Sequence, residues 1–365
     1  MTSVTSVLFD ALKVALWGDV PHVDLYRSLS LSDWNNLYEI ACKQTVEVLV
    51  FDALESLPDD IEIPKDLIKK WCIRVDQIEQ RNTYMNQVIK SQIHFFDNLG
   101  IKPILQKGQG IAKYYPNPLH RNCGDIDWYI NNKNDFDKTF DSVKQHVEKV
   151  SRSKMDAFFV WKHQETELHS RLVETRNPLK WSFIKKLEDQ HKTKLDFLKL
   201  DDITVSLPAP LLNILLVNIH ILKHQITYGI GLRQLCDAAV LYDKLYKKYD
   251  SNELLLAYKN LGVVQWTHVF HHLLVNYIGL SENKIPYPIK KSANSDWMIN
   301  DILNSGNFGF TDDRYDDSSS QTGRVNRFGR LGSSYLKYMY YAPEETLIFP
   351  FFQGAIKFYK LFNKS

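Results

Sequence analysis

Cysteine is scarce in this chain. Cys42, Cys72, Cys123 and Cys236 are scattered through 365 residues without a CxxC pair. That excludes a disulfide framework and a zinc ribbon, and it fits a reducing, cytoplasmic setting. Net charge is nearly absent as well. Lys plus Arg number 45 against 43 Asp plus Glu, leaving +2, so no global field draws in nucleic acid and any basic site must be local. No run approaches the ~18 consecutive apolar residues that a membrane-spanning helix needs. The apolar N-terminal residues follow no basic run and are interrupted by Asp10, which makes a poor signal peptide. Internal repeats are also lacking. Aromatic residues, by contrast, make up 13% of the chain, enough for large packed cores, and the length allows two or three domains.

Residues 1–56 read as several short helices. One has a candidate N-cap at Ser32, followed by Trp34, Leu37, Ile40 and Ala41 at helical spacing. Pro64 suits the first turn of a new helix. From there Leu67, Trp71, Val75 and Ile78 recur every three or four residues, and Met85, Val88, Ile89, Ile93 and Phe96 carry the stripe on to Gly100. A kink or interruption is expected near Arg81-Asn82. The role expected for this helix is that of a scaffold packed on the section that follows.

Residues 101–205 change character to mixed α/β. Ile104-Leu105 is β-prone, a Gly-rich turn and a short helix follow at Lys107–Tyr115, and Asp125–Ile130 alternates polar with apolar residues. Side chains two apart on a strand share a face, so Asp125 and Asp127 project together while Ile126, Trp128 and Ile130 turn to the core. Two carboxylates so placed repel unless a cation lies between them, and hard divalent ions such as Mg²⁺ suit oxygen ligands. The Gly-rich turn lets backbone approach a phosphate. Together these features point to metal-assisted phosphoryl or nucleotidyl transfer; the plain alternative is an acidic pair on a solvated strand edge. Asn134–Val147 has a helical period. Ala157–Trp161 and Glu165–Leu172 then read as a hairpin, with Glu167, His169 and Arg171 on one face and Thr166, Leu168, Ser170 and Leu172 on the other. Ile203–Leu207 is a further strand or an extended connection.

From Pro210 the pattern is helical, with two helices separated near Tyr228-Gly229. His220 and His224 share a face but lack the HExxH arrangement and a third ligand, so they read as hydrogen-bonded residues rather than zinc ligands. The cluster His268, His271 and His272 has no ligand pattern either. Arg233 and Asp237, four apart, suit an intrahelical pair. Ser281–Ser295 is a connection, 309–324 is expected to be a flexible loop, and 325–362 is an aromatic, basic tail. The tail forms either a helix pair on the protein's own core or a surface for a membrane or partner.

Taken whole, the run LQKGQGIAKYYPNPLHRNCGDIDWYI, residues 105–130, resembles the signature of an uncharacterised nucleotidyltransferase family within the DNA polymerase beta-like superfamily. That family has a Lys-Gly turn, a Tyr-Tyr-Pro, an Arg and a closing Asp-Ile-Asp. The wider superfamily carries Gly-Ser or Gly-Gly where this chain has Gly108-Gln109, so the Ser that often touches phosphate is missing. TELHSRL resembles the family's next motif, which places Glu167 as the third carboxylate. The region around Arg233 resembles the helical segment beyond the catalytic domain.

The pattern reads as an α+β or α/β fold, α+β being the class adopted, with a small sheet that is mixed because its last two strands form a hairpin while the earlier connection runs through a helix. The parts of the chain would be an N-terminal helical segment (1–99), a catalytic domain (100–207), a C-terminal helical domain (208–305) and a loop with aromatic helices (306–365). The resemblance implies transfer of a nucleoside monophosphate from an NTP such as ATP to a hydroxyl acceptor on RNA, protein or a small molecule. Asp125, Asp127 and Glu167 would be catalytic and would bind Mg²⁺ or Mn²⁺. Lys107, Gly108, Gln109, Gly110, Arg121 and Arg233 would bind the nucleotide. A glycosyltransferase of the Asp-x-Asp type and a catalytically silent nucleotide-binding module are the competing readings.

Overall fold

The computed structural model describes residues 2–153, 155–310, 312, 314 and 327–348, the first five residues of the last range as backbone. Most of the loop expected at 309–324, and the tail beyond 348, lie outside the described residues. The chain divides into two compact units. One comprises Met1–Leu172 with His191–Ile214, the other Val173–Gln190 with Leu215–Ser365. The N-terminal helices and the sheet that follows them therefore belong to one unit.

Four short helices open the first unit: α1 (Ser3–Trp17), α2 (Val23–Arg27), α3 (Leu31–Lys43) and α4 (Glu47–Leu54). The cap of α3 is Ser30, not Ser32. Its hydroxyl accepts the Asp33 N–H at 3.2 Å, and the Asp33 carboxylate accepts the Ser30 N–H at 3.0 Å. An acid three residues on completes the reciprocal pair for Ser30, which decides the cap.

Helix α5 (Lys65–Asn98) runs 34 residues, about 50 Å, without the break expected at Arg81-Asn82. Those two polar residues bind the chain opposite instead. The Asn82 amide donates to the carbonyls of Leu119 and Arg121, and Arg81 donates to that of Gly124. Gly100, at φ 70, takes the left-handed turn just past the helix end.

The sheet has strand order β1-β2-β5-β4-β3. Its strands are β1 (Ile104–Gln106), β2 (Ile126–Tyr129), β3 (Val150–Arg152), β4 (Asp156–Trp161) and β5 (Gln164–His169), with α6 (Lys107–Ala112) and α7 (Lys133–Val143) in the connections. The β2–β5 pair is parallel and the others are antiparallel. Strands β4 and β5 form the expected hairpin, closed by Lys162 and His163, both at positive φ as a tight two-residue turn requires. The short edge strand β3 and the strand β6 (Asp196–Leu200), which pairs with β7 (Ile203–Leu207), were not legible in the sequence.

One face of the sheet is core. Ile126, Trp128, Ile130 and Leu168 pack there with Met85, Val88, Ile89 and Phe96 of α5. Buried Gln92 of α5 ties the two central strands together. Its amide donates to Thr166 Oγ1 and accepts the Trp128 indole N–H, each at 2.8 Å.

The second unit is helical. It holds most of α8 (Trp181–His191) and of α9 (Pro210–Thr227), then α10 (Leu232–Leu245), α11 (Ser251–Asn260), α12 (Val264–Leu273), α13 (Asp296–Ser305) and α14 (Arg327–Tyr341). The expected gap near Tyr228-Gly229 separates α9 from α10. His271 accepts a place in a buried network, its Nε2 2.8 Å from Tyr242 Oη, with Asn218 and Tyr258 completing it. Burial pushes the His271 imidazole down to about 3, which keeps it neutral. Among the described residues no helix is long and apolar enough to cross a membrane. The fold class is α+β.

Candidate functional site

The parallel register of the central strands sets Asp127 beside Glu167 and Tyr129 beside His169. Since Trp128, Leu168 and Thr166 fill the core face, Asp127, Glu167 and His169 fall on the opposite one. One ligand atom from each of these three lies within 4.8 Å of the others. Asp125 stands one residue before β2 and is half-buried. It is not a member of that triad, although its charge reaches Glu167.

The approach to β2 is held firmly. Gly124 O accepts hydrogen bonds from Arg81 and from Gln164 Nε2, at 3.0 and 2.9 Å. Asn122 donates to the buried Glu47 of α4, which also pairs with Arg74. The N-terminal helices thus hold the loop that delivers Asp125 and Asp127.

The turn after β1 supplies the cation. Lys107 and Gly108 take positive φ, 42 and 39, and Lys107 Nζ reaches Asp127 Oδ1 at 3.0 Å. A side chain on Gly108 would put its Cβ 3.2 Å from the Asp125 carbonyl oxygen, so the close backbone approach and the positive φ both call for glycine. His169 Nε2 meets the same Asp127 oxygen at 2.8 Å and Glu167 Oε2 at 3.4 Å, while its Nδ1 lies 3.1 Å from Asp156 Oδ1 on β4.

The two central carboxyls are driven in opposite directions. Burial raises the pKa of Asp127, but the Lys107 charge and the His169 hydrogen bond outweigh it and hold the carboxyl well below the usual range. For Glu167, burial and then the Asp127 charge win over His169 and Lys107, and its pKa rises. Asp127 is a fixed anion, and Glu167 has a raised affinity for a proton.

The other residues expected at a nucleotide are placed as follows. The Gln109 side chain is buried, its amide donating to Asn82 Oδ1 at 3.1 Å and lying against Met85 Sδ, so only its backbone is available to a ligand. Gly110 packs so closely on Leu207 and Leu105 that a Cβ would come within 3.0 Å of the former. Its missing side chain serves packing. Arg121 is buried, with Nη1 3.0 Å from Cys123 Sγ. Arg233 lies in the second unit, where it donates to Asn307 Oδ1. His220 and His224, also there, stack edge to face at 4.3 Å.

From the sequence, His169 stood on the face of Glu167 as a partner for a carboxylate or phosphate or as a core histidine, and Asp156 had no place in the site. His169 carried a signal, because it is two residues from Glu167 on one strand face. Asp156 carried none until the antiparallel register with His169 was known.

Residues 30–279 match the model of a family described as uncharacterised nucleotidyltransferase, which covers well over half of the 365 residues. The chain belongs to this family. Its matched region contains every strand of the sheet and the Asp127–Glu167–His169 triad. No curated protein matches the chain. Among solved structures, it is similar to an antigenic nucleotidyltransferase-like protein from Paracoccidioides brasiliensis, at 14% identity and a TM-score of 0.32, over 55% of this chain and 92% of that one.

Proposed function

We propose that this nucleotidyltransferase family member transfers a nucleoside monophosphate from an NTP to a hydroxyl acceptor, releasing pyrophosphate, with a divalent ion at Asp127 and Glu167. The observation that carries the reading is the convergence of these two carboxylates from adjacent parallel strands, with Lys107 as a nearby cation. The donor set fits a divalent ion, since the carboxylate oxygens lie within 4.8 Å of one another and in the same cluster. Asp127 and Glu167 would hold Mg²⁺ or Mn²⁺, with the half-buried Asp125 beside them. When bound, such an ion supplies charge neutralisation for the triphosphate and lowers the pKa of the acceptor hydroxyl.

The residues of the chain do the positioning. Lys107 Nζ, now on Asp127, carries the positive charge that a triphosphate oxygen would take up, and the Gly108 backbone lies at the same turn. A Glu167 carboxylate oxygen that is not on the ion receives the proton of the acceptor hydroxyl. The acceptor O–Pα bond forms as the bond from Pα to the pyrophosphate oxygen breaks, in line. The reading carries with it membership of the polymerase beta-like superfamily and a cytoplasmic setting.

A sugar-nucleotide glycosyltransferase is disfavoured because the sheet is small, with one parallel pair, and not a doubly wound parallel sheet. The test is incubation of the protein with each α-labelled NTP, a cell extract and Mg²⁺ or Mn²⁺, beside a panel of sugar nucleotides. Label transferred from one NTP, and lost with a chelator, is expected. Transfer of sugar instead would establish the glycosyltransferase, and nucleotide binding without transfer under any condition would leave a silent binding module.

A further inference from the structure

We propose that His169 is the third ligand of the ion at Asp127 and Glu167, and that this nitrogen makes the site select Mn²⁺ over Mg²⁺. The inference rests on the metal-dependent reading above and deepens it by naming the class of ion.

Three observations carry it. First, His169 Nε2 is aimed between the two carboxylates, 2.8 Å from Asp127 Oδ1 and 3.4 Å from Glu167 Oε2. Three donors so close together, two oxygens and one nitrogen, need only small movements to reach metal–ligand bonds of about 2.1 Å. Second, the far side of the ring is already engaged. Nδ1 lies 3.1 Å from Asp156 Oδ1, on a residue that β4 places directly opposite His169 in the antiparallel register. A carboxylate behind the ring fixes which nitrogen faces the ion and raises its basicity, as metal-bound histidines commonly require. Third, His169 is buried on a strand between two paired neighbours, so the ring is held in place before any ion arrives.

The chemistry of the donor set then decides the ion. Mg²⁺ prefers oxygen ligands and retains its waters, whereas first-row transition ions take an imidazole nitrogen more readily, and Mn²⁺ is the one among them that shares the liking of Mg²⁺ for carboxylates. Asp156 acts through His169 and is a positioning residue.

The experiment uses the full chain with Mn²⁺ alone, without nucleotide. Binding is followed by the loss of free Mn²⁺ signal in electron paramagnetic resonance, and ligation by electron spin-echo modulation from ¹⁴N. The wild type should bind Mn²⁺ with ¹⁴N coupling and prefer it to Mg²⁺ by about tenfold or more in competition. His169→Gln should lose the coupling and most of that preference. Asp156→Asn should keep the coupling while binding Mn²⁺ about tenfold more weakly, which tests the inference even if His169→Gln fails to fold. Bound Mn²⁺ without ¹⁴N coupling, or coupling that survives His169→Gln, would overturn the ligand assignment and leave the carboxylate site standing. Absence of any Mn²⁺ binding in the wild type, with or without an unreactive NTP analogue, would overturn the metal site itself.

Discussion

Two histidines of the first unit are each gripped by carboxylates, and they differ in what surrounds the grip. His120 has Nδ1 2.7 Å from Asp52 of α4 and Nε2 2.8 Å from Glu79 of α5. Each nitrogen is taken by one acid, the acids stand on opposite sides of the ring, and the result ties the loop ahead of β2 to two helices. His169 has one acid behind it, Asp156, but two in front, Asp127 and Glu167, with Lys107 on the first. A histidine between two acids is a closed ion triad. At His169 two carboxylates and a ring nitrogen converge within 4.8 Å of one another, and such a set of donors can take a cation.

The largest expected effect separates the two at once. Asp127→Asn should lower nucleotide transfer by about 10³-fold, since charge stabilisation worth several kcal/mol is removed. Repulsion between Asp125 and Asp127 alone would leave stability unchanged or improved by that substitution. Lys107 and His169 reverse the expectation. Asp127 is 3% exposed and paired to both, so Asn should destabilise the metal-free protein by about 3 kcal/mol in denaturant unfolding. The folded pKa of Asp127 is depressed, so its contribution is present above the ordinary carboxylate value and lost as pH falls through the folded one. An unchanged midpoint would show that Lys107 does not depend on it.

Support for the site from the core face comes next. Gln92→Leu strands the Trp128 indole N–H and the Thr166 hydroxyl, and should cost about 2 kcal/mol of stability while weakening Mn²⁺ binding through the loosened strand pair. Calorimetry and metal titration read both.

His120→Gln should cost about 1 kcal/mol, modest because Glu79 is partly solvent-exposed, and should leave Mn²⁺ affinity alone. Burial lowers the His120 pKa, but Asp52 and Glu79 more than compensate, so the folded value is raised. Its contribution is therefore complete below the ordinary histidine value of about 6.5 and declines as pH rises through the folded one. A wild-type-minus-variant stability difference that grows with pH would contradict the triad.

The smallest effect on stability has the opposite sign. Glu167 has a raised pKa, so holding it ionised costs stability at neutral pH and nothing once it is protonated. Glu167→Gln should raise the melting temperature slightly at pH 7, with the gain vanishing below about pH 4. Its turnover should nonetheless collapse, which distinguishes a functional acid from a structural one.

Much of this was open to a reader of the sequence. Period-two alternation over Asp125–Ile130 placed Ile126 and Trp128 in the core, and the phase of Glu167 against Leu168 placed the acid on the other face; both hold. Local pattern failed where polar residues serve distant chain. Arg81-Asn82 resembled a break and is instead a pair of donors to a loop some 40 residues on. The Gln109 side chain makes a buried amide contact and Gly110 a close packing contact, neither of which spacing along the chain reveals.

By itself the sequence determined the α+β class, the faces of the central strands and the presence of carboxylates with a Lys-Gly turn, because side-chain periodicity and turn chemistry are local properties. The resemblance had set Glu167 with Asp127; the tertiary structure alone decided how they meet and what else joins them. The parallel pairing of β2 with β5 joins residues 40 apart, and the hairpin register sets Asp156 behind His169. The strained turn at Lys107 brings an ammonium onto Asp127. Those distances set the balance between desolvation and charge, so the pKa values, the ligand set and the sign of each mutation follow from packing across the sheet and not from spacing along the chain.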